Sequence, residues 1–145
     1  MAPAQDDDGR EDARYILRHA VGVFGFSTWI TGMLQAFSIT EGIPNKNESQ
    51  WRTAHVGGTM HAVFLFAIAG ALKELNLSAS DRKSLAFYSV MMGWGNSLGY
   101  SVGALIGKRG LEAKPDGNLP PLALFLSAMY ALAKVMQLTY KGTQP

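Results

Sequence analysis

Four stretches of this chain are almost free of formal charge, and polar, turn-rich segments separate them. The first runs from Ala20 to Thr40, and at about 1.5 Å of rise per residue a helix of that length covers the roughly 30 Å hydrocarbon core of a bilayer. Thr53 to Leu72 is the second and Ser84 to Gly107 the third. The fourth, Pro121 to Tyr140, carries one charge, Lys134, whose stem can snorkel toward the nearer interface. The pattern predicts an all-α, integral membrane four-helix bundle, with spans at 20–40, 53–72, 84–107 and 121–140 inside one domain over 14–140. A soluble bundle is the alternative, but it needs a polar stripe along every helix, and the first three stretches have none.

The segments between the spans read as turns. Pro44, Asn45 and Asn47 break the first, Ser80 or Asp81 can cap the third helix, Lys114-Pro115-Asp116-Gly117 turns the last loop, and Pro120-Pro121 can open the fourth helix. Residues 1–13, with Pro3 and Asp6-Asp7-Asp8, are expected to form a disordered acidic tail, and 141–145 a short C-terminal one. Acidic residues precede the first span and no small-residue cleavage site follows it, so it reads as retained rather than as a signal peptide. Arg10, Arg14, Arg18, Lys73, Arg82, Lys83 and Lys141 fall on the side of the termini. Lys46, Arg52, Lys108, Arg109 and Lys114 fall on the other, a balance that places both termini in the cytoplasm.

Composition adds exclusions. A net charge of +2 does not suit a polyelectrolyte partner, so nucleic acid is not expected. Charged residues make up 17% of the 145, below the roughly 25% of soluble domains, as membrane spans require. The absence of cysteine removes disulfides, zinc thiolates, iron–sulfur clusters, covalent haem attachment and cysteine nucleophiles. Three histidines remain. His19, beside the charged start of the first span, reads as an interfacial residue. His55 and His61 are six apart, hence about 120° round and about 9 Å along one helix, so they do not share an ion as an i, i+4 pair does. Each can still be a single axial ligand or a hydrogen-bonding group, or play a structural part.

Asn96 and Tyr100, four apart in the third span, share a face that seldom meets lipid. Gluing helices together is the plainer role for Asn96. Gly95, Gly99, Gly103 and Gly107 form a seam about 100° away, suited to close packing either within a chain or between subunits. The methionines suit core filling better than the padding of a flat cofactor.

Trp51-Arg52-Thr53-Ala54-His55-Val56-Gly57, then Gly93-Trp94-Gly95-Asn96 with Tyr100 four further on, then Arg109-Gly110-Leu111, resemble the styrene oxide isomerase family of small four-helix membrane enzymes. The resemblance implies a homotrimer with haem b near the subunit contacts, His55 as the iron ligand, and Asn96 and Tyr100 in the pocket on the open side of the iron. It implies the isomerisation of an apolar aryl epoxide to an aldehyde by a 1,2-hydride shift, with ferric haem as Lewis acid. At position 61 the family has asparagine in that pocket, where this chain has His61. An imidazole there can donate to the substrate oxygen. It can also ligate iron from a neighbouring subunit, which makes a bis-histidine b-type haem protein, an electron carrier or sensor, the alternative. A small oligomeric transporter is a third reading, but no carboxylate lies within the spans to couple protons.

Overall fold

The computed structural model describes residues 9–40, 47–108 and 119–145, and their regular structure is entirely helical. Four long helices form an antiparallel bundle: α1 (Arg10–Ile39), α2 (Glu48–Glu74), α3 (Ala79–Ile106) and α4 (Leu119–Gly142). Helix α1 begins at Arg10, inside the stretch expected to be tail, because Gly9 supplies a left-handed turn (φ 82°) and Glu11 and Asp12 complement the positive end of the helix dipole. The remainder of that tail, residues 1–8, lies outside the described residues, as do the loops at 41–46 and 109–118. All four helices begin before their expected spans, since a helix has no reason to stop where its apolar stretch meets the headgroups. The cap of α3 is also earlier than expected: the Ser78 hydroxyl accepts from the Asp81 N–H at 3.2 Å, so neither Ser80 nor Asp81 caps the helix. Pro120 and Pro121 do sit in the first turn of α4, where their missing N–H groups cost nothing.

Three of the helices, α1, α2 and α4, are long and apolar enough to cross a membrane. Helix α3 was expected to match them, and in length it does, but its composition is less apolar. Its glycines, serines and Asn96 explain the difference: Ser89, Gly93, Gly95, Ser97, Gly99 and Ser101 are buried against the other helices, so α3 need not be a lipid-facing rod. One core cluster joins Ile16, Ala20 and Val23 of α1 to Leu65 and Leu72 of α2, Leu85 of α3 and Val135 of α4. A smaller one at the opposite end joins Trp51, Ala54 and Ala104, with Leu34 and Tyr100 against it. Large apolar side chains cover the outside instead of polar ones, including Val21, Trp29 at 70% exposure, Val63 and Phe87. A water-soluble bundle does not present such a surface; a membrane protein does.

The glycine seam packs within the chain. A Cβ at Gly95 would stand 3.2 Å from the Leu124 carbonyl oxygen and 3.1 Å from Ala128 Cβ, and one at Gly99 would stand 3.2 Å from the Phe125 ring, so the seam seats α4. Gly107 has a different task. With φ 68° it ends α3 in a left-handed turn, where its own N–H reaches Ala104 and that of Lys108 reaches Gly103. Of the methionines, Met92 fills core as expected, whereas Met33, Met60, Met129 and Met136 point outward.

Candidate functional site

Helix α1 is not a regular α-helix throughout. Over Phe26–Ile30 it widens into a π-turn, so that the Thr31 N–H reaches the Phe26 carbonyl, five residues back. That shift releases the Ser27 carbonyl from the backbone ladder, and two side chains take it up. The Thr31 hydroxyl donates to it at 2.5 Å from its own helix, and His55 Nδ1 of α2 lies 2.9 Å away. A carbonyl can only accept, so Nδ1 carries the proton and Nε2 is the basic nitrogen. Gly32 makes room for the ring, since a Cβ there would stand 3.1 Å from Nδ1. An imidazole oriented by a carbonyl at one nitrogen and basic at the other is the usual posture of a metal-ligating histidine.

The other predicted residues lie elsewhere. A cavity of about 540 Å³ opens among the start of α2, the second half of α3 and the first half of α4, lined by Thr53, Asn96, Tyr100, Phe125 and Met129 among others. The Asn96 amide donates to the Met92 carbonyl at 3.2 Å, which leaves its oxygen for another donor. The Tyr100 ring is clamped: Phe125 meets it edge-on at 4.9 Å between centroids, and a Cβ at Gly57 would stand 2.8 Å from its Cε2. His61, one turn beyond Gly57 on α2, lies on the same side, with its ring centroid 6.1 Å from that of Tyr100. Its Nδ1 is 2.7 Å from the Gly57 carbonyl, so its Nε2 is the basic nitrogen too. It lines a second, apolar cavity of about 210 Å³ with Met60, Phe64, Met92 and Leu132.

The structure therefore brings Asn96 and Tyr100 into one cavity, sets His61 beside Tyr100 in a neighbouring one, and places His55 apart from all three. Thr53 and Gly57, which face the Tyr100 side, flank His55 at two residues' distance, and two residues on a helix are about 200° of rotation. His55 thus looks toward α1 from the opposite flank of α2.

The sequence model of the styrene oxide isomerase family matches residues 12–141, nearly the whole chain. The chain belongs to that family. No curated protein and no solved structure matches it at a significant level. Family membership makes this an epoxide isomerase-like membrane protein, and it covers both flanks of α2.

Sequence reasoning missed several residues of the site. Ser49 and Gln50 line the larger cavity from the start of α2, and no motif marked them; Thr53, inside the Trp51–Gly57 run but given no role there, lines it too. Ser27 and Thr31 were unremarkable hydroxyls until the π-turn put a free carbonyl between them. His19, read as interfacial, accepts from the Trp94 indole N–H at 3.1 Å and so ties α1 to the motif on α3. A tryptophan in mid-span was the one available signal, because a buried indole N–H needs a partner.

Proposed function

We propose that the protein isomerises apolar aryl epoxides to aldehydes, and that His55 Nε2 holds haem b. The observation that carries this reading is the His55 ring, oriented by the Ser27 carbonyl with its basic nitrogen away from that bond. When bound, ferric haem supplies a Lewis acid for the epoxide oxygen. Because His55 and the Asn96–Tyr100 cavity occupy opposite flanks of α2, one chain's histidine works with the cavity of its neighbour, and a homotrimer closes such a head-to-tail arrangement. The trimer and the cytoplasmic placement of both termini belong to the same reading.

The chain's own residues do the rest. Asn96 and Tyr100 hold the epoxide at the polar wall of the cavity, while Phe125 and Met129 offer the apolar wall that an aryl ring needs. Opening the benzylic carbon–oxygen bond develops positive charge on carbon and negative charge on oxygen, and the Tyr100 hydroxyl can donate to that oxygen. Hydride then moves between the two epoxide carbons, so no water and no redox equivalent is consumed. An apolar cavity inside the membrane keeps water from the cationic carbon and so prevents the diol. His61, on the same side of α2, presents an acceptor at Nε2 where the family has an asparagine, so the donor to the oxygen is Tyr100.

A second reading draws on one observation: His61 has the same posture as His55, Nδ1 on a carbonyl and Nε2 basic. If a neighbour's His61 ligates the iron, the protein is a bis-histidine haem protein without isomerase activity. The purified protein should convert styrene oxide to phenylacetaldehyde without reductant and give a ferric spectrum that changes on adding imidazole. A low-spin spectrum indifferent to imidazole, with no turnover, would establish the second reading instead.

A further inference from the structure

We propose that the groove between α3 and α4, at the end of the bundle carrying both termini, binds the phosphate of an anionic phospholipid through Lys134. The groove has a volume of about 590 Å³ and shares no lining residue with the two cavities described above, so the inference does not depend on haem. Lys134 is the one charge in the fourth apolar stretch. It sits about two turns before the end of α4, a depth from which its stem can lift the ammonium to headgroup level. Among the described residues its Nζ meets only neutral groups: Gln137 Oε1 at 3.3 Å and the face of Tyr130 at 5.9 Å from the ring centroid. The carboxylate that lines the groove is already engaged. Asp81 Oδ2 accepts from Lys141 Nζ at 2.8 Å and from the Ser78 hydroxyl at 2.6 Å, and its carboxyl is held below the usual range by those bonds. Lys134, Lys141 and Asp81 together leave one positive charge in the groove, uncompensated among the described residues that line it.

The surroundings indicate a lipid as the source of the phosphate. Tyr88 and Tyr130 stack edge to face across α3 and α4 at 5.9 Å, and Leu138 lines the groove beside them, an apolar and aromatic floor of the kind that acyl chains near a headgroup occupy. The cations of the segments on the side of the termini, Arg10, Arg14, Arg18, Lys73, Arg82, Lys83 and Lys141, are matched in number by Asp6, Asp7, Asp8, Glu11, Asp12, Glu74 and Asp81, so Lys134 is the charge that favours an anion there.

The test is native mass spectrometry of the full-length detergent-purified protein, with equal phosphatidylglycerol and phosphatidylcholine added to the micelles. The unaltered protein should retain phosphatidylglycerol over phosphatidylcholine by about fivefold, the worth of one cation at an anionic surface. Lys134→Gln should reduce that preference to about one, and Lys134→Arg should keep it. Gln137→Glu, which leaves Lys134 in place but gives it a carboxylate partner, should also erase it. A preference that survives both Lys134→Gln and Gln137→Glu would overturn the proposal. So would inorganic phosphate at millimolar concentration displacing phosphatidylglycerol, because the site would then be one for a free anion.

Discussion

His55 and His61 differ in what surrounds them rather than in their own hydrogen bonds. Each holds a carbonyl through Nδ1, but His55 is seated on α1 at Ser27, whereas His61 stands beside Tyr100. Replacing His55 by Ala should abolish the Soret band and leave an extractable, folded oligomer, and a band that persists would remove His55 as the ligand. His61→Asn restores the family's residue; it should keep or raise turnover of aryl epoxides, whereas a change from low-spin to high-spin ferric haem would show that His61 had been a ligand. Tyr100→Phe removes the proposed donor to the developing oxyanion while keeping the clamped ring, so kcat should fall by roughly 100-fold with little change in thermal stability. Gly57→Ala does the reverse: a methyl 2.8 Å from the Tyr100 ring overpacks the α2–α3 contact, and should cost about 1–3 kcal/mol in a denaturation experiment.

At the scale of the elements, the π-turn of α1 and the glycine seam of α3 each convert a local irregularity into a position for the site. The π-turn frees the Ser27 carbonyl, which the Thr31 hydroxyl and the His55 ring then share. Thr31→Val keeps the shape but removes the competing donor, so the His55 bond to the Ser27 carbonyl should strengthen. With His55 holding the haem as proposed, the midpoint potential should fall, measurable by redox titration, and a rise would contradict the sharing. Along the seam, Gly99→Leu would force α4 from α3 through Phe125, and Phe125 also holds the Tyr100 ring. Both the unfolding temperature and the activity should drop, whereas Leu at outward-facing Met129 should leave the unfolding temperature unchanged.

For the whole molecule, the positions of His55 and the cavity on opposite flanks of α2 make assembly part of the proposed active site. Mass measurement in detergent should give three copies of the 15.7 kDa chain, and a haem-bearing monomer with full activity would refute this arrangement. Mixing chains that carry His55→Ala with chains that carry Tyr100→Phe should restore some activity, because a mixed trimer contains junctions with both residues intact. The end of the bundle with the termini has its own tie, from Lys141 on α4 to Asp81 on α3. The lowered carboxyl of Asp81 contributes stability that is present above the ordinary carboxylate range and is lost as pH falls through the folded-state value. Asp81→Asn should therefore lower the unfolding temperature slightly at neutral pH and not at all at a pH where the carboxyl is already protonated.

Four helices were legible in the chain because hydrocarbon admits few charges and leaves no other way to satisfy the backbone, so uncharged runs of about twenty residues had little choice. Asn96 and Tyr100 were legible as a pair for an equally local reason: four residues make slightly more than one turn, and this holds in any helix. The 120° between His55 and His61 was legible too, but which neighbour each would meet was not. That depended on how α1 and α3 pack on α2, and on a π-turn that no residue of Phe26–Ile30 announces. Packing likewise turned the glycine seam toward α4 and joined Trp94 to His19. Periodicity sets angles about a single helix axis; only contacts between helices decide which of those angles faces a partner, a cavity or lipid.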